Sequence, residues 1–200
     1  MSAAWRQVLA EMQALHREVP ALEAFAPFPD RLTATPFDAF DIPAAGLFVN
    51  TARAAPGAHP LTRALAAASP EAHWRETYKG TQIGQHFLDR FGCYSMIGPN
   101  APWDSTTYWA FMVHMPPGLD YTWHHHPAEE LYVVIDGAAE FCRAGKPSET
   151  LRRGGGSFHA SNEPHAMRTH DQPVVAYVCW RNGFGIPPVL TPPERIPIEA

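Results

Sequence analysis

Lysine is nearly absent from this chain. Lys79 and Lys146 are the whole supply, and the basic total reaches only fifteen against twenty acidic residues. The net charge of −5, with no basic run, argues against nucleic acid or an anionic membrane as a partner. Cysteine is scarce too. Cys93, Cys142 and Cys179 are an odd number with no C-x-x-C pair. Buried thiols in a reducing cytoplasm fit that usage. Long apolar runs are missing: Val174 to Trp180 is the longest and falls far short of a bilayer span. The start, MSAAWRQVLAEMQAL, has no apolar stretch between a charged end and a small-residue cleavage site, so no signal peptide is expected. A soluble, cytoplasmic protein acting on a small molecule is the expectation, with its oligomeric state open.

Histidine and proline are abundant, at eleven and twenty-one. The prolines imply many turns and few long helices. Residues 3–19 carry Trp5, Val8, Leu9, Met12, Leu15 and Val19 at helical spacing before Pro20, which predicts a helix. A short helical turn is expected over Leu22 to Phe28. Residues 29–60 read as an extended Pro- and Ala-rich arm with a strand at Leu47–Val49. A helix is expected from Thr62 to Ala68, capped near Leu61–Thr62, then a helix-plus-strand segment over residues 71–91. From Tyr94 onward, short apolar or alternating runs are separated by Gly, Pro, Asn and Asp. They are Tyr108–Met115, Tyr121–His126, Glu130–Ile135, Ala139–Arg143, Ser157–His159, Ala166–His170 and Val174–Trp180. Short strands at this spacing predict a mostly β chain, closed as a sandwich or barrel. The expected division is residues 1–93 as helices and arm, packed on a barrel of residues 94–200 in one structural unit.

The chemistry concentrates in GLDYTWHHHPAEELYVVIDG, residues 118–137. On a strand, His124 and His126 share one face and His125 points the other way. Pro127-Ala128 makes a turn, and a second, hairpin-related strand puts Glu130, Tyr132 and Val134 on one face. Two imidazoles and a carboxylate aimed at one point suit a divalent transition metal ion: Zn, Fe, Mn, Co or Ni. A buried Glu without a cation or donors would be strongly unfavourable. Tyr132 lies on the inward face, either as a core residue whose hydroxyl finds a backbone partner or as a group beside the metal.

The spacing Gly118, His124, His126, Glu130, Gly137 resembles the first cupin motif. GGGSFHASNEPH, residues 154–165, is similar to the second, with Ala160-Ser161-Asn162 where Pro-x-Gly is common. The resemblance covers about residues 105–185. It implies a cupin (double-stranded β-helix, or jelly-roll) barrel, here with an N-terminal helical extension, and makes His165 the fourth metal ligand. MPPGLDYTWHHHPAEELYVV resembles more narrowly the cupin lyases of dimethylsulfoniopropionate, of the DddQ type. That resemblance implies one divalent metal held by His124, His126, Glu130 and His165, with Tyr132 as base and Tyr121 in the pocket. Substrate contacts are expected from Tyr121, Trp123, Trp109 and Trp180, whose rings suit a dimethylsulfonium cation, and from Met112 as a soft, adaptable wall. The expected reaction is metal-dependent cleavage to dimethyl sulfide and acrylate. The rival readings are a cupin Fe(II) dioxygenase of a small carboxylate and a non-catalytic, small-ligand-binding cupin.

Overall fold

The computed structural model describes residues 1–196. Helix α1 spans Ala3–Glu18 and buries Trp5, Val8, Met12 and Leu15 along one face; Ser2 caps it by accepting the Trp5 N–H. Helix α2 is Pro20–Phe25. The two-residue strand β1, Thr33–Ala34, follows. Helix α3 spans Pro43–Ala54, where a strand was expected within an extended arm. Pro43 stands at its first turn, and Ala44, Phe48 and Ala52 recur every four residues on its buried face. Its small alanines mute the hydrophobic contrast, although alanine is the best helix former. Helix α4, Pro60–Ala68, is capped by the His59 side chain, two to three residues earlier than the sequence suggested. Residues 71–91 hold only a 3₁₀ end, isolated bridges at His73 and Trp74, and the short helix α5, Gln85–Leu88. No strand forms there.

Ten more strands follow. β2 is Gly92–Ile97, β3 is Trp103–Asp104, β4 is Trp109–Met115 and β5 is Asp120–His125. β6 is Glu129–Arg143, β7 is Lys146–Arg152 and β8 is Gly156–His159. β9 is His165–Arg168, β10 is Val174–Arg181 and β11 is Val189–Leu190. The order runs β1-β3-β2-β4-β10-β6-β9-β5-β11, with β7 and β8 also on β6. The long strand β6 was expected as two. It pairs with β10 and β8 through its first half and with β9 and β7 through its second, so it turns the corner between the two walls of a barrel.

The central strands read as nearly continuous apolar runs because both of their faces are covered. Met112, Leu131, Val133, Val175, Tyr177 and Cys179 pack outward against α1, α3 and α4. Phe111, Val113, Tyr132, Val134, Ala176, Val178 and Trp180 point into the barrel. The period of two therefore divides one apolar run between two cores. Cys93, Cys142 and Cys179 are all buried. No helix among the described residues is long and apolar enough to cross a membrane.

Asp136 ties the helices to the barrel. Its carboxylate accepts the His59 N–H at 2.9 Å, the Thr62 hydroxyl and the Arg153 guanidinium. The next residue allows β6 to bend there. Gly137 has φ +75°, and a Cβ on it would lie 1.8 Å from the Pro173 carbonyl oxygen. That carbonyl already accepts the Ala138 N–H. Gly137→Ala should therefore strain the backbone and part β6 from the chain before β10. A loss of about 2–4 kcal/mol is expected, read from denaturant unfolding.

Candidate metal centre

Three strands and a turn bring the expected ligands together. His124 is the last residue but one of β5, His126 follows the strand, Glu130 is the second residue of β6 and His165 opens β9. β5 and β6 are not partners as a hairpin would make them, because β9 lies between them in the sheet. His165 pairs with His124, so the fourth ligand stands beside the first. The ligating atoms of His124, His126 and His165 lie within 4.8 Å of one another. Glu130 Oε2 lies 3.4 Å from His126 Nε2 and 3.1 Å from His165 Nε2.

Each ring is turned by its other nitrogen. His124, His126 and His165 use Nδ1 on the backbone carbonyls of Thr122, Ala128 and Glu163, at 2.9, 3.0 and 2.8 Å. A proton on Nδ1 leaves the Nε2 lone pair free to bind. The Nε2 atoms of His126 and His165 are buried and have no hydrogen-bond partner. Orphaned imidazole nitrogens around a buried carboxylate are what a divalent cation would satisfy. Burial, and then the neighbouring His165, also hold His124 well below the ordinary histidine range, which keeps it neutral and able to ligate.

Glu130 is held from both sides. The Trp180 indole N–H donates to Oε1 at 2.6 Å, and His159 Nδ1 meets Oε2 at 2.7 Å. Burial alone would raise this carboxyl; His126, His159 and His165 instead hold it well below the usual carboxylate range. His159 was not singled out in the sequence: it lies within the second motif's span, residues 154–165, but the ligand of that motif is His165. The pairing of β8 with β6 sets it directly opposite Glu130. Its second nitrogen lies 3.0 Å from the Ser157 hydroxyl, so both ring nitrogens are taken. It orients the carboxylate, and its ligand atom also lies within 4.8 Å of those of Glu130 and His165.

His125 points away, as alternation requires. Its Nε2 accepts from Arg195 at 3.0 Å, which leaves Nδ1–H to donate to Thr191 Oγ1 at 2.8 Å. Those contacts tie the C-terminal segment across β5, where β11 pairs at His124 and His125.

A cavity of about 30 Å³ opens on the ligands and has room for one or two water molecules. Its wall includes His124, His126, Glu130, Tyr121, Tyr132 and Trp180. Tyr121 reaches it through a register shift in β5 between Tyr121 and His124, which carries it to the ligand face. Its ring stacks on His124 with centroids 3.9 Å apart, and its hydroxyl lies 2.8 Å from that of Tyr78. Tyr78 was not expected here and carries no motif. Burial first, and then the Glu130 charge, push the Tyr132 phenol well above its usual range, while Arg75 acts in the opposite direction.

Three residues expected to contact substrate lie elsewhere. Met112 faces the helices, one residue out of phase with Phe111 and Val113 on β4. Trp109 shares the inward phase but packs on Phe184 outside the cavity wall. Trp123 misses the register shift's benefit and lines an outer cleft with Tyr78 and Leu190.

His126→Ala and His165→Ala should each lower bound divalent metal severalfold or more, because each removes one orphaned nitrogen. His125→Ala should keep its metal. Elemental analysis of the purified variants checks this, and a metal-free His125→Ala beside a metal-replete His126→Ala would overturn the ligand set.

Comparison with known proteins agrees with this geometry. The sequence pattern of the dimethylsulfoniopropionate lyase family matches residues 46–176. The chain is 44% identical over 192 residues to the dimethylsulfoniopropionate lyase DddQ of Ruegeria pomeroyi, covering 96% of each. The crystal structure of DddQ from Ruegeria pomeroyi DSS-3 superposes with a TM-score of 0.91 at 42% identity, over 97% of this chain and 99% of that one. A structure from work on the lyases RdDddP and RnDddQII matches with a TM-score of 0.88 at 34% identity, over 95% and 98%.

Proposed function

Since the chain belongs to the dimethylsulfoniopropionate lyase family, we propose that it cleaves dimethylsulfoniopropionate to dimethyl sulfide and acrylate with one bound divalent transition metal ion. The observation that carries this is the convergence of three imidazoles and one carboxylate, two of the imidazole nitrogens orphaned, on a cavity walled by Tyr132. His124, His126, Glu130 and His165 would hold the ion. Zn, Fe, Mn, Co and Ni all suit that donor set. When bound, the ion supplies Lewis acidity that withdraws charge from a substrate carboxylate and favours the ionised form of a neighbouring phenol.

The remaining work belongs to the chain's own side chains. Tyr132, once ionised to the phenolate, takes the α-proton onto its Oη. The electron pair left behind becomes the Cα–Cβ double bond, and the Cβ–S pair leaves with sulfur as neutral dimethyl sulfide. Trp180 and His159 keep Glu130 from swinging into the cavity while this happens. Tyr121, pinned between Tyr78 and the His124 ring, shapes the space in which the substrate is oriented. The aromatic wall of Phe91, Tyr121 and Trp180 suits a sulfonium, which it steadies without a tight ion pair.

Tyr132→Phe keeps the ring and its packing and deletes one oxygen. The variant should fold and bind metal, yet release dimethyl sulfide about 10²–10⁴-fold more slowly. It should also fail to exchange the α-hydrogens of bound substrate with deuterium. Near wild-type release would return Tyr132 to a core role. Tyr121→Phe should retain metal and lose turnover or substrate affinity more modestly.

A further inference from the structure

Arg75 stands in the wall of the same cavity without an acidic partner. Arg153, Arg168 and Arg181 each reach a carboxylate, at Asp136, Asp120 and Glu129. Among the described residues no ion pair does this for Arg75. The one carboxylate in the cavity wall is Glu130, whose oxygens already meet Trp180, His159, His126 and His165. The guanidinium is nonetheless fixed in place. It lies over the Phe111 ring at 4.7 Å, in the same wall as Cys93. The Arg75 backbone N–H donates to the Cys93 carbonyl at 2.8 Å, next to the bridge between Trp74 and Tyr94. Holding a half-buried cation in this way leaves several N–H donors free for an anion entering the cavity. A guanidinium fork matches a carboxylate in particular.

We propose that Arg75 receives the carboxylate of the substrate and thereby makes the cavity selective for molecules that carry an acid group. The inference rests on the preceding functional reading and adds an orientation to it. The acid end lies toward Arg75, and the cationic end lies against aromatic rings of the same wall. A sulfonium or ammonium compound without an acid group would lack the contact that holds its reacting carbon beside Tyr132.

The test uses metal-loaded wild type, Arg75→Gln and Arg75→Lys. Each is titrated calorimetrically with acrylate, propionate and trimethylsulfonium, and each is assayed for dimethyl sulfide release. Arg75→Gln should bind acrylate and propionate roughly 10- to 100-fold more weakly, the effect of losing a charge-assisted hydrogen bond. Its affinity for trimethylsulfonium should be unchanged, its metal content normal and its KM raised about tenfold or more. Arg75→Lys, which keeps the charge without the fork, should recover part of the loss. Undiminished binding of acrylate and propionate by Arg75→Gln would overturn the proposal. So would equal loss of anion and cation, or a wild type that binds neither monocarboxylate. A wild type that binds both anions but releases no dimethyl sulfide would refute the activity, and the titrations would still decide the role of Arg75.

Discussion

A buried carboxylate is the constraint on which this structure turns. Removing Glu130 from water is unfavourable by several kcal/mol unless donors or a cation meet it, and every nearby element contributes to meeting it. β10 supplies the Trp180 indole and β8 supplies His159, while β9 and the turn after β5 bring the free nitrogens of His165 and His126 to 3.1 and 3.4 Å from the same carboxylate, where a shared cation would meet all three. The strand order places these four around one oxygen pair, although they span residues 126–180 of the sequence. The two unpartnered imidazole nitrogens show that protein donors alone leave the cluster incomplete.

The helices and the terminal segment serve that centre at a distance. α1, α3 and α4 cover the outer face of the strands whose inner face forms the cavity, so the barrel wall is stiffened from outside. Asp136 fastens the start of α4 to β6 near the bend at Gly137. On the opposite wall, β11 and Arg195 hold β5 through His125, the one histidine of the triplet turned away from the cluster. Consecutive histidines thus have divided duties: two face the centre and the one between them anchors the strap.

Alternation made much of this legible in the sequence. It separated His124 and His126 from His125 and put Glu130 with Tyr132. It did not reach Tyr121, because a register shift in β5 reverses the phase there, and backbone irregularities of this kind leave little trace in residue type. The same rule misplaced Met112, since the runs on β4, β6 and β10 are apolar on both faces and do not say which side is the barrel. α3 was hidden by alanines that give weak hydrophobic contrast, and β7 by its mostly exposed polar residues. His159, Tyr78 and Arg75 join the site through strand pairing and long-range packing. No local motif marks contacts made across 29 or 43 residues.

The central claim is that the histidine–glutamate cluster holds a metal on which carbon–sulfur cleavage depends. Its most direct test is the release of dimethyl sulfide and acrylate by wild-type protein stripped with a chelator and then reloaded with Zn, Fe, Mn, Co or Ni. The account predicts that the stripped protein, still folded, produces neither compound, and that at least one of these ions restores both in equal amounts. Undiminished release from demonstrably metal-free protein would contradict it.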